Sequence, residues 1–175
     1  LKKNIPGKIV HEDFVDFEHN RNFALRACDD MDTDYILLLD ADMILNISPS
    51  LDVQKYKSDL KYHIAHYIFQ GNAYHHYKNV RIVKKSPDIC YWGVTHEYVQ
   101  LPGDATYGTG DPKDIFINDV GDGGSKQNKF LRDIELLSKA LESNPNNDRY
   151  TFYLANSYKD SGQPTQAIKY YEKRI

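Results

Sequence analysis

Five consecutive apolar residues, Tyr35-Ile36-Leu37-Leu38-Leu39, stop abruptly at Asp40-Ala41-Asp42. This feature restricts the fold more than any other in the chain. So short a run reads as a strand, and a strand without polar alternation is one covered on both faces. Ahead of it, residues 19–28 hold Phe23, Leu25 and Ala27 for the buried side of a helix, and Asp16 or Glu18 can cap its start. Residues 8–11 alternate as a short strand, and 29–34 form a polar turn. Strand, helix and buried strand in that order make a βαβ crossover, so the expected class is α/β with a parallel sheet.

Composition narrows the classes further. Of 175 residues, 41% are hydrophobic and 27% charged, which excludes intrinsic disorder. No apolar stretch approaches the roughly 18 residues that a membrane span needs. A net charge of −3 argues against a nucleic-acid surface built on phosphate neutralisation. Cys28 and Cys90 are read as reduced core thiols rather than a disulfide framework. The chain opens on Leu1-Lys2-Lys3-Asn4 and stops within a helical pattern at 170–175, so it reads as a segment of a longer protein.

Beyond the acidic motif, Ser48-Pro49-Ser50 marks a loop. Residues 60–70 and 73–85 are aromatic and β-branched stretches separated by Gly71-Asn72, the pattern of a hairpin. Residues 89–94 form a further strand that runs into Thr95-His96-Glu97-Tyr98. Glycine and proline at 102, 103, 108, 110 and 112 indicate a loop, and 115–117 a last short strand. From Lys129 onward Leu131, Ile134, Leu137, Ala140 and Leu141 recur at helical spacing up to Asn144-Pro145. Leu154-Ala155, Tyr158, Gly162, Ala167 and Tyr171 fit the tetratricopeptide pattern, with Thr151 in place of the consensus Trp. A plain helical hairpin is the alternative. The expected organisation is a domain over 1–126 and a helical region over 127–175, with further repeats following in the parent chain.

Asp40 and Asp42 concentrate the chemistry. Carboxylates at i and i+2 after a buried strand sit at the carboxyl edge of a sheet, where open α/β folds bind ligands. Their mutual repulsion favours a hard divalent cation, which would in turn hold a diphosphate. A solvated strand-terminal turn is the plainer explanation. His63, His66, His75 and His76 lie on the hairpin stretches, but strand alternation would send His63 and His66 to opposite faces, against a zinc site. Trp92 is read as a core residue ahead of a sugar-stacking platform. Residues 121–126 resemble a phosphate-cradling loop only in their glycines and Lys126, without Walker spacing.

Taken together, Phe17, Arg21-Asn22, Ala24-Leu25 and the run from Asp34 to Asp42 resemble family 2 glycosyltransferases of GT-A fold. Trp92-Gly93-Val94-Thr95-His96-Glu97 and Ile117-x-Asp119-x-Gly121 resemble the family's acceptor-side segments. The subgroup it is most similar to carries tetratricopeptide repeats behind the catalytic domain and occurs in bacteria and giant viruses.

The resemblance implies a GT-A-like domain lacking its first strand, helix and second strand, because only a short stretch precedes the first helix here. It implies a metal-dependent, inverting transfer from a nucleotide-sugar donor, with UDP as the expected nucleotide, to a protein or glycan acceptor. Asp40 and Asp42 match the D-x-D that binds Mn2+ or Mg2+ and the donor. Arg21 and Asn22 match the helix beside the donor pocket, with a plain surface ion pair as the alternative. Asp119 falls where many relatives carry a histidine metal ligand. Glu97 is the candidate base, with His96 orienting it or the donor phosphate. A peptide partner for the repeats and a cytoplasmic location, in a bacterium or an infected host cell, complete the expectation.

Two other classes remain in view. A phosphatase of the haloacid-dehalogenase type also ends a hydrophobic strand in D-x-D, but Ile44 stands where it needs Thr or Val. A catalytically silent fragment whose helices bind a partner peptide is the third.

Overall fold

A computed structural model describes residues 7–72, 74–120 and 128–174. The described residues pack as two compact units. One comprises those of 7–30, 91–98 and 128–174; the other comprises those of 31–90 and 99–120. The helical region expected over 127–175 thus lies in the first unit, together with segments from earlier in the chain.

The second unit is built on a mixed sheet. Its strands are β1 (Tyr35–Leu37), β2 (Met43–Ile47), β3 (Ala65–Gly71), β4 (His76–Lys84), β7 (Tyr107–Thr109) and β8 (Ile115–Asp119), ordered β1-β4-β3-β8-β2 with β7 also paired to β3. The β3–β4 hairpin stands as expected. Asn72 Oδ1 accepts from the Tyr74 and His75 amides and fixes its turn. Gly71 has φ +149, and a Cβ there would collide with the His75 carbonyl. Helix α2 (Val53–Leu60), capped by Asp52, places Tyr56 and Leu60 against a core of Ile68, Ile82, Ile115 and Ile117. Tyr56 and Leu60 are four residues apart and share one helix face.

The α/β class holds, but several expected elements differ. β1 is antiparallel to β4, so no parallel βαβ crossover joins it to α1 (Phe17–Arg26), which belongs to the other unit. The parallel pairs are β3 with β7 and β3 with β8. The apolar run is an edge strand of three residues, with Leu37 and Leu39 exposed, so only one face of it needs covering. Residues 8–11 form no strand; Ile9 and Val10 are exposed and have no ladder partner to hold them extended. The 102–113 loop contains β7, and the helix Val53–Leu60, which follows the expected loop at 48–50, is not among the expected elements.

In the first unit α1 is capped by Asp16, whose Oδ1 accepts from the His19 amide at 2.7 Å. Helices α3 (Lys129–Ser143), α4 (Asp148–Asp160) and α5 (Pro164–Lys173) follow. The α3 periodicity is real: Leu137 and Leu141 meet Tyr150 and Leu154 of α4 in one core, joined by Trp92 and Val94. Gly162, at φ +79, turns the chain between α4 and α5. Strands β5 (Cys90–Trp92) and β6 (Tyr98–Gln100) pair as a separate two-stranded sheet. Both cysteines are free thiols and only half-buried, not core residues. No helix among the described residues is long and apolar enough to cross a membrane.

Candidate functional site

Strand directions place the acidic motif. β4 runs antiparallel to both β1 and β3, and β8 runs parallel to β3, so β1, β3 and β8 end at the same edge of the sheet. The turn 38–42 lies at that edge and carries the chain from β1, on one side of the sheet, to β2 on the other. The Met43 amide closes the turn on the Asp40 carbonyl at 3.0 Å. Met43 pairs with Asp119 in the β2–β8 ladder, and the Val120 amide donates to the Asp42 carbonyl at 3.1 Å. Asp42 and Asp119 are therefore backbone neighbours at the carboxyl ends of the strands.

Behind Asp40 stands a residue that the sequence did not single out. Arg81 of β4 is 6% exposed; its Nε donates to Gln70 Oε1 at 2.5 Å and its Nη1 to the Leu38 carbonyl at 3.3 Å. Nη1 also lies 3.5 Å from Asp40 Oδ2. Gln70 Nε2 in turn donates to the Tyr77 hydroxyl at 2.7 Å. A guanidinium holds its proton at any ordinary pH, so this buried chain of contacts sets a permanent positive charge beside the motif. The only sequence signal was a single Arg inside the apolar stretch Val80–Val83.

Hard oxygen donors are what Mg2+ or Mn2+ would require here, and the carboxylates of Asp40, Asp42 and Asp119 at this edge are donors of that type. Among the described residues no three His, Cys, Asp or Glu side chains come together as a ligand set. Such an ion fits with one or two carboxylates and takes its other ligands from water or phosphate oxygens, the common habit of Mg2+.

Four other candidates lie in the first unit. Asn22 latches α1 to the chain at Tyr91: its Oδ1 accepts from the Tyr91 amide at 2.7 Å and its Nδ2 donates to the Tyr91 carbonyl at 2.8 Å. Arg21 Nε donates to Glu97 Oε1 at 2.5 Å, and its guanidinium lies over the Tyr91 ring. The Glu97 side chain is 14% exposed, so this is not the plain surface pair of the alternative reading. Glu18 Oε2 accepts from the Gly93 amide at 2.6 Å and further fixes the segment.

His96 adopts φ +52, a left-handed conformation costly for a residue with a Cβ. Its ring lies flat on Tyr153, with centroids 4.0 Å apart, and Arg149 Nη2 donates to its carbonyl at 2.7 Å. Burial pushes its pKa below the ordinary value, an effect that Asp133 opposes. Strain of this kind gathers at functional positions, and here it sets the residue next to Glu97.

The remaining expectations divide. His63 and His66 do not point apart: their rings meet with centroids 5.1 Å apart, because β3 begins only at Ala65 and His63 lies in the preceding turn. Even so, they gather no third ligand among the described residues. Trp92 stacks on Tyr150 at the core, as expected. The loop 121–126, with Lys126, lies outside the described residues. No protein-family model matches the chain, and no curated protein matches it.

Proposed function

We propose that the chain carries the metal edge of a GT-A-type glycosyltransferase that moves a sugar from a nucleoside-diphosphate donor. The observation that supports this best is the place of Asp40, Asp42 and Asp119 at the sheet edge where β1, β3 and β8 end, with buried Arg81 beside Asp40. Asp42 and Asp119 would hold the divalent ion, Mn2+ or Mg2+. When bound, that ion neutralises charge developing on the departing diphosphate. Arg81 orients Asp40 and adds fixed positive potential at the same edge.

In this reading Glu97 is the general base. Its carboxylate takes the proton of an acceptor hydroxyl as that oxygen bonds to the sugar's anomeric carbon and the carbon–phosphate oxygen bond breaks. The Arg21 contact fixes the carboxylate's rotamer, so Arg21 is a positioning residue. The donor's nucleotide is taken as UDP and the acceptor as a protein or glycan. The hairpin of α4 and α5 supports a tetratricopeptide role: Ala155 and Ala167 are buried small residues, and Tyr158 stacks on Tyr170. Such a surface would bind a peptide partner.

Calorimetry with UDP at saturating manganese tests the metal edge. The intact enzyme should bind UDP only with the metal. Asp42→Asn should abolish that binding while the circular dichroism spectrum stays unchanged. Equal UDP affinity in the variant overturns the metal assignment. An intact protein that binds no UDP–manganese yet retains a peptide ligand overturns the transferase reading in favour of a binding module, and turnover of an aryl phosphate overturns it in favour of a phosphatase.

A further inference from the structure

The opposite edge of the same sheet holds a cavity of about 380 Å3, bounded by α2 and by the 109–114 segment that leads into β8. It lies toward the starts of β3 and β8, whereas the D-x-D turn follows the strand ends. His66, near the start of β3, lines this cavity. It is 3% exposed, and neither of its ring nitrogens has a hydrogen-bond partner. The buried Tyr56 hydroxyl, which lines the same cavity, has none either.

Such groups are costly to leave unmet. Each buried donor or acceptor without a partner has lost its hydration and gained nothing in exchange. A neutral imidazole shows one N–H and one lone pair, and a tyrosine hydroxyl can both donate and accept. The ring is closely packed, because Gly108 faces it and a Cβ at that position would collide with it. Burial, together with the neighbouring His63, pushes the His66 pKa down while Asp59 opposes, so the ring is neutral at pH 7. Around it the lining carries the carboxylates of Asp52, Asp59, Asp111 and Asp114 against the single ammonium of Lys55. That balance repels phosphates and attracts cations.

A hydroxyl group is the simplest partner for His66 and Tyr56, since it offers a donor and an acceptor at once. An ammonium group is the simplest partner for the carboxylates. We propose that this cavity is a binding site for a small hydroxylated amine, of the amino-sugar or amino-alcohol class, with its ammonium among the acids and a hydroxyl against His66 and Tyr56. The site is independent of the transferase reading, since it uses none of that reading's residues.

Glucosamine is the probe, glucose its uncharged control and inorganic phosphate the anionic one, all in metal-free buffer. The readouts are calorimetry and the ring 15N shifts of His66. Glucosamine should move those shifts and bind at least about tenfold more tightly than glucose, the size expected of a charge-assisted contact. Asp59→Asn, at an exposed position, should weaken glucosamine about tenfold or more, and Tyr56→Phe by about two- to twelvefold. Asp42→Asn should change neither. Unmoved His66 shifts, equal affinity for glucose, or preference for phosphate would each overturn the proposal. Should Tyr56→Phe fail to fold, Asp59→Asn alone decides.

Discussion

A carboxylate 2.5 Å from a guanidinium has its direction fixed before any substrate arrives, and Glu97 beside Arg21 is such a group. Its neighbour His96 holds a left-handed backbone, so the dipeptide is locked by packing rather than by local preference. If Glu97 is the base, Glu97→Gln should keep donor and metal affinity while turnover falls by roughly 10²–10⁴-fold. Asp119→Asn should lose donor affinity as well as rate, because its proposed work is on the metal. Steady-state kinetics with a UDP-sugar separates the two; Glu97→Gln within a few-fold of the parent would return the role of base to another acid. Arg81 shows what residue-level inspection misses. A lone Arg in Val80–Val83 reads as the solvent-facing position of an alternating strand. Its burial depends on Gln70 and Asp40, which are remote in sequence and become neighbours only once β1, β3 and β4 pair.

Elements were legible where local chemistry alone decides them. The β3–β4 hairpin follows from Gly71-Asn72, which supplies both the unusual φ and the side-chain cap of the turn. Helix α3 follows from apolar spacing that persists across its whole length. The failures came where tertiary context decides. The run Tyr35–Leu39 has the composition of a central strand, yet it sits at an edge with two of its leucines exposed. Helix α2 offers only Tyr56 and Leu60 to the core, and its clearest signal was the Asp52 cap. The placement of Asp40 and Asp42 at a carboxyl edge was readable because a strand must end where its apolar run meets two acids. Substitution of the turn glycine tests how firmly this hairpin is held. Gly71→Ala puts a Cβ onto the His75 carbonyl and should destabilise the sheet by more than about 1 kcal/mol. Gly103→Ala, with open space around it, should stay within about 0.5 kcal/mol of the parent. Urea denaturation followed by tyrosine fluorescence reads both, and equal midpoints would mean that the turn relaxes freely.

At the scale of the whole molecule, each unit buries one histidine of lowered pKa: His96 in the first and His66 in the second. Burial is the leading cause in both. Each unit also holds tyrosines whose pKa burial raises: Tyr150 in the first, Tyr35 and Tyr56 in the second. The sign follows from which state binds the proton. Above about pH 6.5 both folded and unfolded histidines are neutral and the stability is complete. As pH falls below that value, the unfolded chain takes up protons that the folded chain refuses. Stability therefore declines until the folded-state pKa is passed. Toward alkali the unfolded tyrosines lose protons from about pH 10 while the folded ones keep theirs, so stability declines again. Thermal unfolding should thus show a plateau between about pH 6.5 and 10 with losses on both sides. On the acid side each histidine contributes a slope of at most about 1.4 kcal/mol per pH unit. His96→Asn isolates one share, since Asn tolerates the left-handed backbone that His96 adopts. Its acid slope should be shallower than the parent's in the transition of the helical unit while the sheet unit keeps its own, as read by amide hydrogen exchange between pH 5 and 8. An unchanged slope in the helical unit would show that His96 takes up its proton as readily folded as unfolded, and that burial there sets no pH dependence.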